Sequence, residues 1–156
     1  MEKMVMFWHH HFSVQMEEVG NATMLWRHHK TFRDNPLGSV KQLARDVTID
    51  PAMLFHLNGY LNSKLAPDEN YARELQELFT VGRGPGSGYT ENDVMEAARV
   101  LTGWRIDSTT LTSYYDQASH DTGSKTFSAF YNNTTIANGA ATEVEALVNM
   151  IFTSTE

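Results

Sequence analysis

The stretch "PDENYARELQELFTVG", residues 67–82, decides the fold class. Tyr71, Leu75, Leu78 and Phe79 recur at the three- and four-residue spacing of one helical face, and Gly82 stands where a left-handed residue closes a helix. An amphipathic helix is predicted. At about 100° per residue, Glu74 falls roughly 85° from the centre of the apolar stripe and Glu77 roughly 145° from it. Glu74 is therefore a boundary carboxylate, able to reach a polar pocket or to pair with Arg99 or Arg105, whereas Glu77 is expected to face solvent. Glu69 and Arg73, four residues apart, read as ordinary helix support.

The next segment, "YTENDVMEAARVLTGW" (89–104), repeats the pattern. Thr90 caps it, Asp93 three residues on completes a capping box, and Val94, Ala97, Ala98, Leu101 and Trp104 form a stripe that Gly103 ends. The glycine-rich "GRGPGSG" (82–88) between the two helices lacks the spacing and preceding strand of a dinucleotide fingerprint, so it reads as a connector. Upstream, Asn21 can cap "ATMLWRHHKTF" (22–32). Asn35-Pro36 and Asp50-Pro51 each look like a cap followed by proline at the first helical position, marking short helices around 36–47 and 51–57.

From Arg105 to about Asn138 the helical period gives way to Thr, Ser, Tyr, Phe and Asn, and the runs "SYYDQ" (113–117) and "KTFSAFY" (125–131) suit paired extended segments. "ATEVEALVNMIF" (141–152) restores a helix, whose apolar face finds nothing downstream to complete it and so points to truncation. The expected fold is mostly α, a multi-helical domain with a small extended or β-hairpin region around residues 105–138. The whole of 1–156 is expected to be one domain, a fragment of a longer helical protein.

Composition narrows the function classes. The 156 residues, 41% apolar, suffice to bury roughly two thirds of the unfolded surface. A net charge of -7, from 12 basic and 19 acidic residues, opposes a protein built to neutralise a phosphate backbone, so nucleic acid is excluded as the expected partner. No apolar run approaches the roughly 18 residues of a membrane span. Without cysteine, any metal must be held by His, Asp, Glu or backbone oxygens.

"MVMFWHHHFSV" (4–14) places three histidines between aromatics. The flanking straight-chain residues favour a helix, in which His9 and His11 point about 160° apart and cannot grip one ion together. Met4, Phe7, Trp8, His11 and Phe12 then form the inner face. His11 reads first as a core imidazole bonded to a carbonyl or carboxylate, with metal ligation the competing use. His9 becomes a ligand only if the helix breaks or a second element meets it from outside.

"SHDTGSK" (119–125) gathers an imidazole, a carboxylate and an amine in a loop beside a glycine. Its plain reading is a turn in which Asp121 bonds its own backbone while Lys125 is solvated. Its functional reading joins His120 and Asp121 to His11 and Glu74. The expected metal ligands are then His9, His11, Glu74 and His120, and the catalytic groups are Glu74, Asp121 and Lys125. Imidazole with carboxylate and no thiol suits a divalent Zn, Mn or Fe ion that activates water, with Glu74 as base.

Taken in order, "KMVMFWHHHF", "DPAMLFHLNGYLNSKLAPDENYARELQELFTVG", "YTENDVMEAARVLTGW" and "HDTGSKTFSAFYNN" resemble a bacterial family known as domain of unknown function 1800, and the chain resembles an internal segment of it. "RHHKTFRDNPLG" (27–38) stands where members commonly show a shorter "RHALGNFR" type of stretch. The style of "HDTGSKTFSAFYNNT" is similar to that of members from Bacteroidetes-type bacteria. The resemblance implies a mostly helical, exported protein of the periplasm or cell envelope, with a sulfatase-like protein from a neighbouring gene as a partner. It implies no established reaction. Two functions follow: a His and carboxylate metal site acting in hydrolysis, or a non-catalytic helical interaction module whose polar residues hold helices together.

Overall fold

The computed structural model describes residues 1–154, which form eight α-helices and two small antiparallel sheets. The chain opens with α1 (Glu2–His11) and a single turn, α2 (Met16–Val19). It continues through α3 (Ala22–Asp34), α4 (Val40–Thr48) and α5 (Pro51–His56). Asn21 caps α3 by accepting from the amides of Thr23 and Met24, and Asp50 caps α5 by accepting from Met53 N, as expected from the sequence. The Asn35-Pro36 pair does not begin a helix. Helix α4 starts at Val40 under a Ser39 cap, because the Pro36 carbonyl is taken by the Trp8 indole N–H at 3.0 Å and residues 35–38 turn back on themselves.

Helix α1 docks on α3 through Val5, Trp8 and Phe12 rather than through Phe7, which is 54% exposed. The inner face is thus rotated from the expected one, with Met4 and His11 at its half-buried edge.

The deciding stretch forms α6 (Glu69–Glu74), which runs directly into a π-helical segment, Leu75–Thr80. A wider turn brings residues four apart into line. Tyr71, Leu75 and Phe79 are accordingly all buried, while Leu78, expected on the same face, is 60% exposed. Gly82 closes the segment at φ 88°, its N–H reaching back to Gln76 O at 2.9 Å.

Helix α7 (Glu91–Val100) carries the expected capping box between Thr90 and Asp93. Its stripe of Val94, Ala97, Ala98 and Leu101 is buried, and Trp104 has already passed into a strand. The 105–138 region is a small β region. Strand β1 (Trp104–Ile106) pairs with β2 (Ser113–Tyr115) in the register Arg105 to Tyr114, and β3 (Lys125–Thr126) pairs with β4 (Thr135–Ile136). Only the first two residues of "KTFSAFY" are strand, and Ala129–Tyr131 is a 3-10 turn. Helix α8 (Glu143–Ser154) crosses back onto α4 and α7. The main apolar cluster has Phe12, Phe32, Met53, Leu75, Ala98, Tyr131 and Leu147 at or near zero exposure, and a smaller one of Val19, Met24 and Ala52 joins α2, α3 and α5. Among the described residues no helix is long and apolar enough to cross a membrane.

Candidate functional site

The polar centre of the molecule is built where α7 ends. Gly103 has φ 91°, and a Cβ there would lie 2.8 Å from Asp116 O and 3.1 Å from the His120 Cβ. The absence of a side chain lets the returning chain pass close, with Asp116 N donating to Gly103 O at 2.7 Å. Asp116 then caps the 117–119 turn by accepting from Ala118 N and from the Ser119 hydroxyl, and the turn delivers His120 into the interior.

Within that interior, His120 Nδ1 lies 2.8 Å from the Thr102 carbonyl oxygen and Nε2 is hydrogen-bonded to Glu143 Oε1 at 2.9 Å. Lys125 Nζ donates to Glu143 Oε2 at 2.7 Å and to the Asp121 carbonyl, and stands 3.4 Å from His120 Nε2. Gly139 N donates to Glu143 Oε1 at 3.0 Å. The side chains of His120, Lys125 and Glu143 have no exposed surface. Glu143 is the first residue of α8, where the helix dipole favours a carboxylate. The Tyr115 ring packs on His120 with centroids 5.3 Å apart. Its buried hydroxyl has no hydrogen-bond partner among the described residues, and burial, with the Glu143 charge second, pushes it up to about 12.

A second shell of charge closes the cluster. Arg99 donates to Asp121 at 2.8 and 3.2 Å and to Glu96 at 2.9 and 2.8 Å. The Arg99 guanidinium holds the Asp121 carboxyl below the usual carboxylate range, and the Gly123 amide adds to the effect. Thr102 ties both layers, its hydroxyl donating to Arg99 O and accepting from Asp121 N.

Of the residues singled out from sequence, His120, Asp121 and Lys125 therefore meet, and Lys125 is sealed rather than solvated. His11 lies elsewhere, packed among Trp8, Phe12 and Phe79, its Nε2 donating to Phe79 O at 3.0 Å within the π segment. Glu74 is half-buried with no hydrogen bond or ion pair among the described residues. Neither proposed arginine reaches it, since Arg99 holds Glu96 and Asp121, and Arg105 donates to the carbonyls of Tyr60 and Asn62. Glu77, expected in solvent, has a side chain only 9% exposed between Arg73 and Arg83, at a helix surface that the π turn has rotated. The exposed His9 ring meets His29 and His28 from α3, centroids 5.7 and 6.3 Å away. Partial burial, then the charges of His28, His29 and His10, hold His9 below its usual value. Among the described residues, no group of three or more His, Asp or Glu side chains is placed to hold one metal ion.

Sequence reasoning missed Glu143, which sits 18 residues beyond Lys125 on a helix whose own period gave no sign of a buried acid. It also missed the buried His28, bonded to Asp50 at 3.0 Å and to Phe12 O at 2.9 Å. The proline beside Asp50 signalled the helix cap; nothing local signalled its second use.

One cleft, of about 340 Å³, opens beside Ile106 at the end of β1. Phe55 and Tyr60 stack in parallel along it, centroids 5.3 Å apart, facing Met24, Ile106 and Leu111. None of its lining residues is charged. Leu111 adopts a left-handed φ of 55°, a costly backbone for leucine, and Arg27 clamps its carbonyl at 2.6 Å.

A family model described as "Protein of unknown function (DUF1800)" matches residues 1–156. The chain belongs to this family. No curated protein and no solved structure matches it. For this DUF1800 chain the geometry of its own residues is therefore the guide to function.

Proposed function

We propose that this DUF1800 chain is a non-catalytic helical interaction module of an exported bacterial protein, working in the periplasm or cell envelope. The uncharged Phe55 and Tyr60 cleft supports this reading most directly, because it sets two parallel rings opposite an apolar wall that ends in Leu111, held at positive φ. Its shape suits a protruding apolar side chain, the usual anchor of a protein interface. The proposed partner is the sulfatase-like protein of the neighbouring gene, which rests on the family resemblance. The complete burial of His120, Lys125 and Glu143 fits the same reading, since those groups brace helices and offer no surface to a substrate.

The test is binding between the two purified proteins, followed by titration calorimetry of Tyr60→Asp and Leu111→Asp. A complex that both substitutions weaken at least tenfold is expected. Absence of binding by the wild type, or wild-type affinity in both variants, overturns the proposal.

A second reading keeps a metal. His9 and His29 have no hydrogen-bonded partner among the described residues, and a centroid separation of 5.7 Å suits two imidazoles on one ion at bond lengths of about 2.0–2.1 Å. Met6 and His10 line the same small depression. Glu74 does not line this depression, so a hydrolytic Zn, Mn or Fe centre there would need its carboxylate from elsewhere. Zinc titration followed by His29→Ala separates the readings: one equivalent bound by the wild type and lost in the variant supports the metal, and no binding removes it.

A further inference from the structure

We propose that Lys125 and Glu143 condense into an intramolecular amide, a covalent staple between β3 and α8. The two groups are in contact, with Nζ 2.7 Å from Oε2 of the Glu143 carboxyl, and both are wholly shielded from water. Confinement of an amine against a carboxyl in one geometry raises its effective concentration by many orders of magnitude, and a dry site disfavours the reverse hydrolysis.

The hydrogen bonds around the pair, other than the one between them, can all persist in the product. Oε1 accepts from Gly139 N–H at 3.0 Å and from His120 Nε2 at 2.9 Å, two donors placed as an oxyanion hole is placed. Nζ also donates to the Asp121 carbonyl, which is the bond an amide N–H would keep. Oε2 has Lys125 as its one partner among the described residues, so its departure orphans no other group. After condensation the amide oxygen retains both donors and the amide N–H retains its acceptor.

The step balances without any oxidant or co-reactant. The Lys125 ammonium passes one proton to Oε2 of the carboxylate, leaving a neutral amine beside a neutral acid. The amine lone pair attacks Cδ, the developing charge on Oε1 falls between Gly139 N–H and His120, and a C–N bond forms. A second proton moves from nitrogen to Oε2, the Cδ–Oε2 bond breaks, and one water leaves. The Tyr115 ring packs on His120, and its hydroxyl, without a hydrogen-bond partner among the described residues, is free to take up that water on its way out. The interior also changes from a buried ammonium and carboxylate, each expensive to desolvate, to a neutral amide.

Intact-mass spectrometry of the purified, denatured chain, combined with peptide mapping, tests the proposal. The expected result is a mass lower than that of the sequence by one water, with a branched peptide joining Lys125 to Glu143. Lys125→Met should restore the full mass and remove the branched peptide. His120→Gln, if folded, should slow the approach to the lighter mass by at least tenfold. A folded wild type that keeps the full sequence mass and yields no branched peptide after prolonged incubation overturns the proposal. Partner binding at the cleft reads out separately, so failure of either proposal leaves the other's measurement untouched.

Discussion

His120 Nε2 lies 2.9 Å from Oε1 of Glu143, and neither side chain has any surface in contact with solvent. A turn capped by Asp116 and the first residue of α8 are thereby fixed to each other through the interior. Compared with uncondensed wild type of full sequence mass, Glu143→Gln keeps the shape but removes the anion that faces Lys125. Breaking a buried pair from one side costs about 3–5 kcal/mol, and a loss of that size is expected in urea unfolding. The double variant Lys125→Met, Glu143→Leu removes both charges at once and should be more stable than Glu143→Gln alone. Equal stability of the two would mean that the stranded ammonium is not what destabilises the single variant.

The Asp121 and Arg99 pair makes a pH prediction. Arg99 holds the folded-state carboxyl below its unfolded value, which is about 3.9. A depressed carboxyl contributes stability that is present above the unfolded value and is lost as pH falls through the folded one. The stability difference between wild type and Asp121→Asn should therefore be constant above about pH 5 and shrink on acidification below about pH 4. A difference that widens in acid would contradict the assigned direction.

These two pairs also mark how far the sequence carries. The helices around 22–34, 51–56, 69–80 and 91–100 were legible because capping residues and apolar periodicity are local signals. The "SHDTGSK" loop was legible as a cluster because its imidazole, carboxylate and amine are close in the chain. What the residues do there was not legible, because Glu143 and Arg99 come from helices far along the chain. The π segment was hidden for a related reason. Its extra residue per turn depends on how Tyr71, Leu75 and Phe79 meet the core, so Leu78 and Glu77 exchanged their expected environments. His11 and Glu74 share an amphipathic boundary in pattern alone, and pattern does not place two boundaries side by side.

Leu111 separates stability from binding. A leucine at positive φ carries about 1–2 kcal/mol of backbone strain, and Leu111→Gly relieves it while forfeiting a half-buried side chain at the cleft. The two effects oppose each other, so thermal unfolding should show a net change within about 1 kcal/mol. Affinity for the partner should fall at least tenfold, because one wall of the cleft is gone. A variant that binds normally would show that the strain serves packing against Met24 and not recognition.

Gly103 is the backbone position on which the buried cluster depends most. At φ 91° an alanine is strained whatever the space, and here its Cβ would also lie 2.8 Å from the Asp116 carbonyl oxygen and 3.1 Å from the His120 Cβ. Backbone, not a flexible side-chain tip, must then give way, and the segment that gives way is the one that carries His120 to Glu143. Gly103→Ala should destabilise by more than about 2 kcal/mol, and it should shift the His120 ring resonances, since its hydrogen bonds lengthen first. Gly84→Ala provides the control, because that position has no positive φ and nothing within 4 Å of an added Cβ. Its effect should stay within about 0.5 kcal/mol. If both variants unfold alike, the close approach at Gly103 is not what holds His120 against Glu143.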